Sequence, residues 1–250
     1  MYFKTHDLSI YYEKYGDKKP TILILPGWGY TRPSFYYLIN FLQVNYTVYI
    51  IDYPGFGNSS LPDTDLTIYD YAEIVKDFIN TEKINPTIIA HSFGGRIASI
   101  LLGKYNLTIK KLILIDVAGI KRFKLSLFLK KKIYRIAKLL ISLLPIKNKY
   151  LYQKKLFNLF SSSDYQAIPN IMRKTFKNII SEDLRKYYQS ILSDTLIIWG
   201  EKDLDTPLKD AYYLQKKIIN SELIIYEKNG HFSYLERPFL TNMIIDSFLN

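Results

Sequence analysis

Ala90-His91-Ser92-Phe93-Gly94-Gly95 is the stretch on which the reading of this chain turns. It follows an apolar, β-branched run, Thr87-Ile88-Ile89, and opens a segment with helical spacing from Arg96 to Tyr105. A serine between small residues at a strand-to-helix junction requires a tight turn. Ala90, two residues before, and Gly94, two after, lack the bulk that would collide across it. Such a turn projects the serine Oγ from the sheet edge and leaves the following N–H groups at a helix N-terminus. The result is a nucleophile beside an anion-stabilising site. The plainer reading of the same residues is a serine N-cap on an ordinary helix.

The surrounding sequence decides between the two. Tyr2 to His6 and Ser9 to Tyr15 alternate as a hairpin would, with Asp7 near its turn. Nearly continuous Ile, Leu and Val runs follow at Thr21 to Leu25, Thr47 to Ile51, Thr87 to Ala90, Lys111 to Ile115, Thr195 to Trp199 and Glu222 to Tyr226. Strands buried on both faces require such runs. Between them Phe35-Leu38-Ile39-Leu42, Tyr71-Ile74-Val75-Phe78 and Ile97-Ile100-Leu101 repeat at three and four. Alternating strand and helix implies an α/β fold, a parallel sheet covered by helices on both faces. The rhythm breaks once, between Ile115 and Thr195. There Leu125, Phe128, Leu129, Ile133, Ile136, Leu139 and Leu140 carry helical spacing up to a stop at Pro145. The expected organisation is a core of residues 1–116 and 195–250 with a helical cap insertion at 117–194.

Composition narrows the function classes. At 250 residues with 48% hydrophobic content the chain can bury a large core. It has no cysteine, which excludes disulfides, zinc–thiolate sites and a cysteine nucleophile. No apolar leader and no spanning segment is apparent, so a cytoplasmic protein is expected. The net charge of +11 comes from one segment: twelve Lys or Arg fall between Lys121 and Lys155, and no Asp or Glu between Val117 and Ser163. Without those twelve, 22 basic residues face 23 acidic ones. No aromatic–basic motif or recognition helix accompanies the charge, so a nucleic-acid partner is not expected.

A serine hydroxyl needs a base to take its proton. Of three histidines, His6 lies in the hairpin and His91 points away from Ser92 across the turn. His231, in Asn229-Gly230-His231-Phe232 after the last strand, is the expected base. A carboxylate must fix its tautomer. Asp203, in Trp199-Gly200-Glu201-Lys202-Asp203-Leu204-Asp205-Thr206-Pro207, is preferred over Asp205 and, more distantly, Asp116, because it completes the order Ser, Asp, His. The oxyanion donors expected are the N–H groups of Phe93 and of Trp28, the latter in Pro26-Gly27-Trp28-Gly29-Tyr30. Trp28, Phe93 and Phe232 are the expected substrate-contacting side chains.

These motifs, PGWG, DYPGFGNS, AHSFGG, WGEKDLDTP and GHFSYLERP, together resemble the α/β-hydrolase fold superfamily over nearly the whole chain. Within it the chain is similar to small capped bacterial hydrolases of the esterase and C–C hydrolase type. The resemblance implies an eight-stranded, mostly parallel sheet, no cofactor or metal, and Ser92, Asp203 and His231 as the triad. Pro26 stands where relatives usually carry histidine, and Ala90 where glycine is commoner. A serine rather than an aspartate nucleophile implies acyl substrates, so a small-molecule acyl ester is the expected partner. A C–C hydrolase of 1,3-diketones, a lysophospholipase or thioesterase, and a non-catalytic binding protein are the alternatives. For Lys130-Lys131-Lys132 and Leu139 to Leu144, a cap helix with its apolar face over the pocket is favoured over a membrane-surface helix.

Overall fold

Runs such as Thr21–Leu25 and Lys111–Ile115 place aliphatic side chains on both faces of the pleat, so they persist as strands only between two helical layers. The computed structural model, which describes residues 1–121, 125–143, 148–160 and 169–250, has that arrangement. The strands are β1 Tyr2–Thr5, β2 Leu8–Tyr15, β3 Thr21–Leu25, β4 Thr47–Ile51, β5 Thr87–His91, β6 Lys111–Ile115, β7 Asp194–Gly200 and β8 Ser221–Tyr226. They form one sheet in the order β1-β2-β4-β3-β5-β6-β7-β8. β2 pairs antiparallel with β1 and β4; all other neighbours are parallel. This is the α/β-hydrolase type of architecture.

Two apolar layers cover the sheet. On one face α2 (Ile68–Thr81) and α3 (Phe93–Gly103) bury Tyr71, Phe78, Ile97 and Leu101 against Leu23, Ile88 and Leu112. α2 begins where the spacing of apolar residues does, because Thr67 and Asp70 cap its free amides reciprocally. On the other face α1 (Tyr36–Leu42) and the last helix, Pro238–Leu249, bury Leu38, Leu42 and Ile245 against Ile22, Ile24 and Ile113. Strand succession runs from β3 outward to β4, then crosses back to β5 and onward. The carboxyl ends of β3 and β5 therefore flank the point where the winding reverses, the crevice in which such sheets hold ligands.

Between β6 and β7 the chain carries α4 (Leu125–Leu143), α5 (Lys149–Phe160) and α6 (Met172–Ser181). α6 is tied to the core: the Leu66 amide donates to Thr175 Oγ1 at 3.0 Å, and Arg96 Nη1 donates to the Ile179 and Glu182 carbonyls at 3.1 Å. α4 packs along α5. Here one expectation is corrected. Ile133, Ile136, Leu139 and Leu140 do not face a pocket; all four are more than half exposed. The reason is rotational: Tyr134, Ala137 and Ile141 occupy the more sheltered side of α4, and the stripe falls outside that arc. The side chains of Leu125, Phe128, Leu129, Lys130 and Lys131, and Pro145 itself, lie outside the described residues.

Candidate active site

The turn read from Ala90 to Gly95 joins the end of β5 to the start of α3. Ser92 sits on it at φ 48° and ψ −109°, a conformation few non-glycine residues adopt. Its amide donates to the Ile115 carbonyl at 3.1 Å and its carbonyl accepts from Ala118 at 2.9 Å, so the strained residue is fixed on both sides by the end of β6. Gly94 is required by proximity, since a Cβ there would lie 2.0 Å from the Leu25 carbonyl oxygen. The helix thus starts directly against the carboxyl end of β3.

His231 lies in the loop after β8, with Nε2 2.9 Å from Ser92 Oγ and Nδ1 2.7 Å from Asp203 Oδ2. The three side chains form one hydrogen-bonded line across 139 residues of sequence. Asp203 is buried in the turn after β7. Its Oδ1 accepts from the Asp205 and Thr206 amides, both at 2.8 Å, and Thr206 Oγ1 donates to Oδ2 at 2.5 Å. Asp205 is exposed and serves this arrangement through its amide. Asp116 is buried and holds other groups: Oδ1 accepts from the Gly200 amide at 2.8 Å, Oδ2 from the Ser233 amide at 3.1 Å and hydroxyl at 2.6 Å. Of the three carboxylates weighed from sequence, Asp203 is the one on the imidazole.

Charge distribution follows from burial and these bonds. Burial pushes the Asp203 carboxyl up, but the His231 bond and charge, with the Thr206 hydroxyl and amide, outweigh it and hold Asp203 below its ordinary value. Burial pulls His231 down, but the Asp203 bond and charge, aided by Asp116 and Asp205, leave it above the ordinary imidazole value. An imidazole of raised basicity accepts a hydroxyl proton more readily. Asp116 is pushed up to about 7, chiefly by burial.

Phe93 is the first residue of α3, where the helix geometry gives its amide no intrahelical acceptor. Trp28 stands in the loop after β3, whose turn closes through the Tyr30 amide on the Gly27 carbonyl at 3.1 Å. The Trp28 ring lies 5.2 Å from that of Phe93, 4.7 Å from Phe56 and 5.5 Å from Phe176 on α6. Phe232 is half-buried, 5.3 Å from the His231 ring and 5.1 Å from Tyr30. Each side chain expected from sequence to touch substrate therefore adjoins the Ser92–His231 pair or its flanking loop. A separate cavity of about 420 Å³ beside the β1–β2 turn, lined by His6, Asp7, Asp70 and Glu73, contains none of them.

Comparison with known proteins supplies the family. A model described as "alpha/beta hydrolase fold" matches residues 20–238. The chain belongs to the α/β-hydrolase fold family. It is 26% identical over 256 residues to "Monoacylglycerol lipase ABHD6" of Bos taurus, covering 92% of this chain and 75% of that protein. It is 28% identical over 274 residues to "AB hydrolase superfamily protein YisY" of Bacillus subtilis (strain 168), covering 100% and 98%. Among solved structures, "Esterase (EaEST) from Exiguobacterium antarcticum" superposes with a TM-score of 0.78 at 24% identity, covering 99% and 98% of the two chains.

In this α/β hydrolase, ligand atoms of Asp203, Asp205 and His231 fall within 4.8 Å of one another, a spacing that could suggest a metal. The contact argues otherwise. Nδ1 and Oδ2 are 2.7 Å apart and bonded to each other, whereas a divalent ion needs about 2.0–2.2 Å to each ligand on its own side. Two residues escaped the sequence reading. Thr206 completes the Asp203 cage, and its only signal was a turn-forming Asp-x-Asp-Thr-Pro. His91 is fully buried with Nε2 2.9 Å from the His231 carbonyl, which can only accept, so Nε2 carries the proton. Burial holds His91 down at about 3, consistent with a neutral ring that braces the backbone of His231.

Proposed function

We propose that this α/β hydrolase cleaves carboxylic ester bonds of small or medium acyl substrates through an acyl-enzyme on Ser92. The observation that carries the proposal is the continuous contact from Ser92 Oγ to His231 Nε2 at 2.9 Å and from Nδ1 to Asp203 at 2.7 Å. His231 Nε2 takes the Ser92 proton as Oγ attacks the ester carbonyl carbon. Negative charge gathers on the carbonyl oxygen, which the Phe93 and Trp28 amides receive. The proton held on Nε2 passes to the leaving alkoxide, the C–O bond breaks, and the alcohol departs. Water then attacks the acyl carbon, giving its proton to His231; collapse releases the acid and returns the proton to Ser92 Oγ. Asp203 stays ionised throughout and stabilises the imidazolium.

The rings of Trp28, Phe93 and Phe232 form the walls for the acyl and alcohol portions, and α6, through Phe176, contributes the cap side. The names of the relatives, an esterase and a monoacylglycerol lipase, support an ester as the bond cleaved. The test is turnover of a p-nitrophenyl short-chain ester by the wild-type chain and by Ser92→Ala. Activity is expected in the first and its loss in the second, with circular dichroism unchanged. Equal turnover by both proteins would refute it.

A further inference from the structure

α4 has its amphipathicity turned outward. Ile133, Ile136, Leu139, Leu140 and Leu143 are between 53% and 72% exposed. At 3.6 residues per turn they fall within roughly 120° of the helix circumference, one continuous aliphatic stripe. Lys132 lies inside that arc and Arg135 borders it, while Lys138 lies toward the opposite side; all three are exposed. On α5 alongside, Tyr150 and Leu159 are each more than three-quarters exposed but on opposite sides of that helix, nine residues apart, and Lys149 and Lys154 are exposed as well. No acidic residue occurs from Val117 to Ser163 to neutralise this charge.

We infer that α4 docks on the surface of an anionic lipid bilayer, its aliphatic stripe entering the headgroup boundary and the cations in and beside the stripe meeting lipid phosphates. Both halves of the surface point to that occupant. An apolar stripe of five residues gains free energy only by leaving water, and a rim of cations alone gains it only opposite negative charge. A bilayer of anionic lipids offers both at once, and long lysine stems reach headgroups while their methylenes stay among acyl chains. A second copy of the same face would set cation against cation. A nucleic acid would leave the aliphatic stripe uncovered. Among the described residues no helix is long and apolar enough to cross a membrane, so the contact is in the plane of the surface. The inference does not rest on the hydrolase reading.

Flotation of the full chain with phosphatidylcholine vesicles, with and without phosphatidylglycerol, tests it at low and high salt. Recovery with the anionic vesicles at low salt, and much less with phosphatidylcholine alone, is the expected result. Leu139→Glu/Leu143→Glu and, separately, Lys132→Gln/Arg135→Gln should each lower partitioning at least about tenfold. The second variant keeps the test valid should circular dichroism show the first misfolded. Ser92→Ala should bind like the wild type, which separates this inference from the proposed chemistry. Equal binding to both vesicle types, no binding to either, or full binding by a folded Leu139→Glu/Leu143→Glu would overturn it. So would light scattering showing a dimer that this variant dissociates without any effect on vesicles.

Discussion

A serine hydroxyl is almost wholly protonated at neutral pH, so in the proposed mechanism the reactivity of Ser92 depends on the state of His231 beside it. As the proposed base His231 acts only when neutral, and its pKa is raised above the ordinary 6.5. kcat/KM should therefore fall on acidification through a midpoint above that value, in a pH–rate profile with a p-nitrophenyl ester. Replacing Asp203 by Asn removes the bond and charge that raise His231 and leaves the burial that lowers it. Asp203→Asn should accordingly lose roughly 10⁴ in kcat, and its residual activity should have its acid limb at lower pH. Asp205→Asn keeps the amide that Asp203 accepts, so its loss should stay within about tenfold. Reversed sensitivities would move the carboxylate role to Asp205.

Elements place these residues through backbone contacts too close for side chains. A Cβ on Gly200, at the end of β7, would lie 2.0 Å from the Gly230 carbonyl oxygen and 2.7 Å from that of Asn229. Gly200→Ala must therefore displace the loop that carries His231. Because a displacement near 1 Å can cost about 100-fold in rate, the variant should lose that much kcat/KM while its thermal midpoint drops only modestly. An unchanged kcat/KM would show that the loop adjusts without moving the imidazole. β3 to β7 were legible because strands buried on both faces leave near-continuous aliphatic runs, and β1 and β2 because they alternate. β8 was legible as an aliphatic run although it is a partly buried edge strand, and Ser92, Asp203 and His231 stood out because each follows a strand. Asp116 was only partly legible: a strand-end carboxylate is visible in sequence, but its partner Ser233, 117 residues away, is not. For α4 the spacing revealed that an apolar face exists. Spacing says nothing about which way that face turns, and there the expectation failed.

Across the whole molecule the sheet's order brings the carboxyl ends of β3, β5, β7 and β8 to one rim, and stability is linked to function there through His91. Unfolded, His91 takes up a proton near 6.5; folded, only near 3. Between those values the unfolded state binds more protons, so this residue withdraws stability as pH falls. Asp116, pushed up to about 7, acts in the opposite direction over much of that range, so wild-type curves alone would mix the two. His91→Gln keeps a donor for the His231 carbonyl without a titrating ring. In urea unfolding, the stability advantage of the wild type over His91→Gln should shrink from pH 7 to pH 5. A constant difference would contradict a buried neutral His91.

The most direct measurement is the intact mass and peptide map of the protein after reaction with a fluorophosphonate. A single adduct on Ser92 is expected, absent from Ser92→Ala and formed far more slowly by Asp203→Asn. Ester hydrolysis in a preparation whose Ser92 stays unlabelled, or an adduct on another residue that abolishes it, would contradict the central claim.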